Sequence, residues 1–451
     1  MGVGSSLRGL RIFRHPAQYV VAAFLAASAL GTGLLLLPWA TSPGEHTSPL
    51  DAWFTATSAV CVTGLTVVDT GTHWTGFGEV VILALIQIGG LGVMTLSALI
   101  VVGLARRLGL RQRLVAAAST GSLALGEVRS ILRGVALVTV IVELLVAAVL
   151  TLRFWITHDE PLGRAAYDGL FHAVSAFNNA GFGLRPDNLI GYQEDPLLLL
   201  VIAAAVVFGG LGFPVWVQIA RNPRAPRRWD LHAKLTVATT VVLIFGGWAA
   251  IAAFEWTNPS TLGGLGAWDS LVNGLFHGIT PRTAGFNSLD VAAMRDESRL
   301  VTEMLMFVGG GSGSTAGGIK VTTFAVLGFI IWSEVRGDPD VSLFHRRIPT
   351  VAQRQALTVA SLAIVSVAAV NLLLLRVTNL SQDSVLFEVV SAMGTVGLST
   401  GITPVLPGIA QVALIGLMLL GRVGPPTLFA ALVSRETERL YRHPEERPII
   451  G

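Results

Sequence analysis

Four stretches of this chain carry the same residue types at the same spacing: FTATSAVCVTGL from Phe54, FHAVSAFNNAGF from Phe171, FHGITPRTAGF from Phe276 and FEVVSAMGTVGL from Phe387. Each has a hydroxyl residue four places after its Phe (Ser58, Ser175, Thr280, Ser391) and a glycine nine or ten places after it (Gly64, Gly181, Gly285, Gly397). The chemistry open to such a turn is that of its main chain. Glycine adopts cheaply the backbone angles and close chain approach that aim peptide carbonyls at a common axis. A ring of carbonyls replaces the water shell of a dehydrated cation without fixed charge. The tips that would supply it are Val62-Thr63-Gly64, Asn179-Ala180-Gly181, Thr283-Ala284-Gly285 and Thr395-Val396-Gly397.

A second chemically distinct stretch is GGGSGSTAGGIK, residues 309–320, with six glycines and three hydroxyl residues in twelve positions. Each interior glycine costs a helix about 1 kcal/mol relative to alanine, so the pattern predicts a broken span. It is not a phosphate loop, because Gly313 to Gly318 is followed by Ile319, and Lys320 by Val321, which breaks the Walker pattern. Three ionisable residues, Glu143, Lys320 and Arg422, fall inside apolar spans, where charge is expensive and tends to face a partner or cavity.

The elements that must position these turns follow from the spacing. Intervals of 117, 104 and 112 residues between the four glycines leave room for two membrane spans around each short hairpin. The first span is expected over Ala17 to Leu37, too long for a secretory leader. It is followed by a short helix from Leu50 to Cys61 and a second span from about Val80 to Leu104. Later repeats read Gly134 to Leu152 and Pro196 to Ala220, Leu235 to Trp256 and Leu300 to about Trp332, and Ala356 to Leu375 and Ile409 to Val433. The predicted fold is an all-α membrane protein: four parallel M1–pore helix–M2 repeats, eight transmembrane helices and four re-entrant loops, around a pseudo-fourfold pore. In residues, 1–16 is an N-terminal segment, 17–104 repeat one, 105–133 a basic loop, 134–220 repeat two and 221–234 a second basic loop. Repeat three is 235–335, including the loop 309–320; 336–355 is a third basic loop, 356–433 repeat four and 434–451 a polar tail.

Composition and charge agree with this threading. The chain has 451 residues, 52% of them apolar and only 13% charged, with a mean hydropathy of +0.66. That is far from the soluble norm of about 25% charged. The side holding the termini carries 22 of the 31 basic residues and 9 of the 28 acids, while the hairpin side, counting Glu255 and Glu303 near the outer ends of their spans, carries 7 and 18. The positive-inside bias therefore puts both termini in the cytoplasm of a multi-pass plasma membrane protein, with the hairpins outside. It also explains the basic pI without nucleic acid, and the basic loops can contact lipid headgroups. An acidic outer face focuses cations toward a pore mouth. One cysteine, Cys61, excludes an intrachain disulfide and a cysteine-built metal site. His172 and His277 share a position after the hairpin Phe and lack companions at metal spacing. An intramembrane enzyme would need a nucleophile with its base inside the membrane. The alternative of a coupled secondary carrier for a monovalent cation would show symmetry-related broken helices in inverted repeats, whereas the sequence suggests one broken span and parallel repeats.

The tips VTGL, NAGFG, TAGFN and TVGLS, together with TPRTAGF, resemble those of the Trk, Ktr and HKT superfamily of potassium transporters, and nearly the whole chain is similar to the Ktr-type membrane subunit. The resemblance implies that the four tip triplets line a potassium-selectivity filter, with potassium at Gly64, Gly181, Gly285 and Gly397. Glycine in the first repeat, where some sodium-preferring relatives carry serine, implies potassium over sodium. It also implies a gate beneath the filter, built of Gly309, Gly310, Gly311, Ser312, Gly313, Ser314, Thr315, Ala316, Gly317, Gly318 and Lys320, with Arg422 as an electrostatic barrier facing it. Relatives of this type form homodimers on a separate cytoplasmic nucleotide-binding, KtrA-like ring, so no nucleotide is expected in this chain. Stimulation by sodium is a further trait of the family.

Overall fold

A computed structural model describes residues 16–107 and 125–424. The expectations for residues 1–15, most of the first basic loop, the end of the last span and the polar tail lie outside the described residues. Among the described residues fifteen α-helices make up nearly all of the regular structure, and an antiparallel hairpin with two residues per strand pairs Ser342–Leu343 with Arg346–Arg347.

The helices come in four sets. Repeat one contains α1 (Pro16–Leu35), the re-entrant α2 (Pro49–Cys61), a single turn α3 (Thr70–His73) and α4 (Gly76–Arg107). Repeat two contains α5 (Leu125–Thr157), α6 (Leu162–Phe177), α7 (Pro196–Leu211) and α8 (Phe213–Arg221). Repeat three contains α9 (Leu231–Glu255), α10 (Ala267–Ile279), α11 (Asp296–Phe307) and α12 (Val321–Arg336). Repeat four contains α13 (Thr350–Val377), α14 (Gln382–Gly394) and α15 (Gly408–Val423).

The first span of each repeat is long, apolar and mostly uncovered. In Gln18–Leu35, Arg133–Thr157, Leu231–Glu255 and Thr350–Val377, only 22–28% of the most apolar window is buried within the protein. These helices form an outer wall whose exposed face suits lipid. The re-entrant helices are the reverse, buried over most of their length and exposed mainly toward their N-terminal ends. Each is pinned by the Phe that opens the repeated motif: Phe54, Phe171, Phe276 and Phe387 are all at most 1% exposed. Two of the four starts carry a side-chain cap. Ser48 caps α2 in a reciprocal box with Asp51, with Pro49 in the first turn, and Ser381 caps α14.

Neighbouring repeats meet in the same way each time. The second span of one packs against the re-entrant helix of the next: α4 on α6, α7 on α10, α11 on α14 and α15 on α2. The last contact closes the ring, so the molecule is an all-α membrane protein of four M1–pore helix–M2 units around a central axis.

Two second spans depart from straight helices, where the sequence suggested one. Residues 308–320 interrupt the third, as expected. The segment read as one span from Pro196 to Ala220 is instead bent by 94° between α7 and α8. The cause is Gly212, at φ +92°, followed by Pro214 in the first turn of α8. A left-handed glycine ends one helix and a proline, lacking an N–H, starts the next. Gly424, at φ +88°, ends α15 at the corresponding point of repeat four. The breaks thus recur in parallel repeats, a different arrangement from the inverted one of secondary carriers.

Candidate functional site

The four glycine turns converge and touch in cyclic order. A Cβ placed on Gly64 would lie 2.3 Å from the Ala180 carbonyl oxygen; on Gly181, 2.8 Å from that of Ala284; on Gly285, 2.3 Å from that of Val396; on Gly397, 2.2 Å from that of Thr63. Each glycine therefore abuts the peptide oxygen just before the glycine of the next repeat. No side chain fits at any of the four positions.

Their backbone is equally uniform. Gly64, Gly181, Gly285 and Gly397 have φ of +90°, +70°, +72° and +96°. The residue two places earlier is also left-handed although not glycine: Val62 (+57°), Asn179 (+60°), Thr283 (+74°) and Thr395 (+51°). Each such residue costs about 1–2 kcal/mol. Strain repeated at four symmetry-related turns points to a site held in place by its surroundings. The hydroxyls of the motif do part of that holding. Gly64 and Gly397 donate their N–H to Ser58 Oγ and Ser391 Oγ, both at 3.1 Å, and Ser175 Oγ donates to the Phe182 carbonyl at 2.8 Å. In the third repeat, where the motif is one residue shorter, the Thr280 carbonyl accepts from Ala284 N at 2.9 Å and Gly285 N at 3.3 Å.

On one side the ring opens into a cavity of about 500 Å³ lined by all four glycines. Asp69, Asp187 and Asp290 also line it, five or six residues after their repeat's glycine, with Arg185 as the opposing charge. Arg185 is itself paired with Glu160 and lies over the Tyr192 ring, 4.9 Å from its centroid. The cavity is thus an acidic funnel onto the glycine ring.

On the other side, residues 309–320 lie directly against the turns of repeats two, three and four. Thr315 Oγ1 donates to the Phe177 carbonyl at 3.2 Å, and Asn179 in its better-satisfied amide orientation donates to Thr315 Oγ1 at 3.2 Å and the Val206 carbonyl at 3.1 Å. A Cβ on Gly317 would fall 2.0 Å from Thr395 Oγ1, and one on Gly309 would fall 3.2 Å from Thr283 Cγ2. The loop is tied to its neighbours by main-chain bonds: Gly311 N to the Gly210 carbonyl (2.8 Å), Thr315 N to that of Gly209 (3.3 Å) and Gly318 N to that of Gly421 (3.2 Å). Phe213 N, at the bend of repeat two, reaches the Gly313 carbonyl at 3.3 Å. Ser314, Thr315 and Ala316 are buried, while Ser312 and Gly313 are partly exposed.

Three cations surround this loop, each held by peptide oxygens. Arg422 donates Nη1 to the Thr315 carbonyl and Nη2 to that of Gly89 at 2.8 Å. Lys320 Nζ curls back to the Ala316 (2.6 Å) and Gly317 (3.2 Å) carbonyls. Arg282 donates Nη2 to the Gly309 carbonyl at 3.2 Å and Thr240 Oγ1 at 3.3 Å. Among the described residues none of the three forms a salt bridge; peptide carbonyls, and for Arg282 also the Thr240 hydroxyl, hold their charges. Glu143 lies behind the second turn, accepting from Asn178 and Gln87. His172 Nδ1 bonds to the Asp168 carbonyl (2.8 Å) and His277 Nε2 to Thr302 Oγ1 (3.0 Å), within the wall of re-entrant helices. No cluster of metal-ligating side chains occurs among the described residues.

A further signal for the site lies in the second spans. The second spans share a glycine motif: Gly89-Gly90-Leu91-Gly92, Gly209-Gly210-Leu211-Gly212, Gly309-Gly310-Gly311-Ser312 and Gly421-Arg422-Val423-Gly424. Added Cβ atoms at Gly89, Gly209 and Gly421 would lie 2.0, 1.8 and 2.0 Å from the carbonyls of Val60, Phe177 and Met393. All three carbonyls sit four residues before a ring glycine. The first glycine of the motif is what lets the second span touch the end of the re-entrant helix. Arg422 occupies a place that is glycine in the other three repeats, which is why its guanidinium reaches the loop.

The family described as "TrkH: Cation transport protein" matches residues 9–440. The "Ktr system potassium uptake protein B" of Bacillus subtilis (strain 168) is 40% identical over 438 residues, 97% of each chain. The "Potassium/sodium uptake protein NtpJ" of Enterococcus hirae is 36% identical over 443 residues, again 97% of each chain. Among solved structures, the potassium transporter TrkH from Vibrio parahaemolyticus superposes with a TM-score of 0.73 over 94% of this chain and 86% of its own, at 18% identity.

Proposed function

The chain belongs to the TrkH family of cation transport proteins, and we propose that it takes up potassium through the ring formed by its four glycine turns. The observation that carries this is the closed cycle of contacts, in which each ring glycine presses on the peptide oxygen before the next. Carbonyls gathered in this way substitute for water around an alkali cation. Potassium is the ion in the names of both relatives, and the second also names sodium. Val62, Thr63, Asn179, Ala180, Thr283, Ala284, Thr395 and Val396 would then supply carbonyls or shape, and the acidic cavity would collect cations ahead of the ring.

Residues 309–320 act as the gate in this reading. They block the axis below the ring, and Arg422, Lys320 and Arg282 add positive charge that opposes a passing cation. Opening requires the loop to leave Asn179 and Thr395, giving up the Thr315 and Gly318 bonds described above. The cavity side faces out, both termini face the cytoplasm, and the chain works as a homodimer under a separate nucleotide-binding ring; the charge asymmetry and the likeness to Ktr-type subunits support this arrangement. The test is ⁸⁶Rb⁺ or K⁺ flux into liposomes holding the purified protein, with Na⁺ as competitor. Saturable flux that favours potassium is expected, and its absence, or equal passage of sodium, would reject the reading.

A further inference from the structure

The layer just behind the ring differs in every repeat. Three residues before each ring glycine stand Cys61, Asn178, Arg282 and Gly394. Among the described residues, Asn178 is the one of the four joined to a carboxylate. Its Nδ2 donates to Glu143 Oε1 at 3.0 Å, to Gln87 Oε1 at 2.8 Å and to the Val174 carbonyl at 2.9 Å. Gln87 Nε2 donates to Glu143 Oε2 at 3.3 Å. Three elements therefore meet here: the outer span α5 through Glu143, the second span α4 of repeat one through Gln87, and the end of the re-entrant α6 through Asn178.

The cluster is built closely. Glu143 is 6% exposed and Asn178 fully buried. Asn178 Oδ1 lies where only a glycine leaves room, since a Cβ on Gly90 would be 1.8 Å from it. A carboxylate at this depth is costly and calls for a role. The chain of contacts supplies one. Asn178 immediately precedes Asn179, whose φ of +60° sets the second turn and whose amide touches Thr315 of the loop. Whatever fixes Asn178 fixes the start of that turn.

We propose that Glu143 is a positioning residue for ion selection: as a hydrogen-bond acceptor for Asn178 it locks the second glycine turn in the geometry that distinguishes potassium from sodium. The inference rests on the reading of the ring as a potassium filter. It goes beyond that reading by assigning selectivity to a group on the lipid-facing wall that touches neither ion nor ring.

The experiment compares wild type, Glu143→Gln and Glu143→Leu in liposomes, reading the K⁺ to Na⁺ flux ratio and, in detergent, the thermal midpoint. Glutamine keeps an acceptor oxygen and holds the ratio within about twofold of wild type; leucine removes both carboxylate oxygens, which strips Gln87 Nε2 of its acceptor and leaves Asn178 Nδ2 only the Gln87 and Val174 oxygens, and the loosened turn lowers the ratio roughly tenfold. A lowered midpoint with an unchanged ratio for Glu143→Leu overturns the proposal in favour of a purely structural contact. An equal loss of the ratio in Glu143→Gln overturns the acceptor role. Should Glu143→Leu fail to fold, Glu143→Ser, whose oxygen cannot reach Asn178, is judged by the same two criteria. A wild type without potassium preference rejects the filter itself, and this inference with it, and so is told apart from a selective wild type with indifferent variants.

Discussion

Replacing Gly285 by alanine is the smallest perturbation that addresses the ring. The new Cβ would stand 2.3 Å from the Val396 oxygen, 3.1 Å from Gly181 Cα and 3.2 Å from Gly397 Cα. Ordinary contact begins near 3.4 Å, so the Val396 carbonyl must retreat by about 1 Å from the place it holds in the ring. The left-handed φ of +72° adds about 1–2 kcal/mol of strain for an L-residue. If a similar energy separates potassium from sodium at the ring, its loss lowers selectivity roughly tenfold. Gly337→Ala is the control. It has nearly the same φ, +70°, but nothing within 4 Å of the added atom, and it lies beyond α12, away from the ring. The control carries the strain without the collision, so its thermal midpoint drops while its flux ratio stays at wild type. The assay is competitive K⁺ and Na⁺ flux in liposomes. Wild-type selectivity in Gly285→Ala would refute the reasoning, because a ring that tolerates a methyl against a ligating carbonyl is not the selecting element.

Three further outcomes are expected. Arg422→Gln frees the Thr315 and Gly89 carbonyls and removes one positive charge, raising ⁸⁶Rb⁺ uptake roughly tenfold for ~1.4 kcal/mol of barrier; unchanged uptake and unchanged regulation would remove Arg422 from the gate. Gly209→Ala drives a methyl into the Phe177 carbonyl and destabilises the fold by about 1–3 kcal/mol, seen as a lower thermal midpoint. Asp290→Asn keeps the cap on Ala292 while removing one vestibule charge, so influx falls about twofold at low salt and recovers as screening shortens the reach of the field; a loss that persists in high salt would point to structure instead.

How much of this was legible in the sequence depends on whether a signal was local. The four hairpins could be read because a pinned Phe, a hydroxyl residue and a turn glycine recur within a dozen residues; the hydroxyl itself braces the turn in repeats one, two and four, while in repeat three the Thr280 carbonyl does so. The broken third span was legible for the same reason, since six glycines in residues 309–320 cannot sustain a helix. The bend at Gly212 was missed because Gly-Phe-Pro is brief and sits inside a strongly apolar run whose length suggested one straight span. The shared Gly-Gly motif of the second spans was missed because its meaning is tertiary. Gly89, Gly209 and Gly421 are explained by the carbonyls of re-entrant helices about thirty residues earlier in the chain, which no local propensity reports. The same holds for Glu143, where apolar neighbours say only that the charge needs a partner, and the partners Gln87 and Asn178 come from other elements.

Crystals of the purified protein soaked in a rubidium salt, with data collected at the rubidium absorption edge, test the central claim most directly. Anomalous density is expected on the axis, enclosed by Gly64, Gly181, Gly285 and Gly397, and is expected to vanish when sodium replaces rubidium. Density confined to the acidic vestibule, with none inside the ring, would contradict the account.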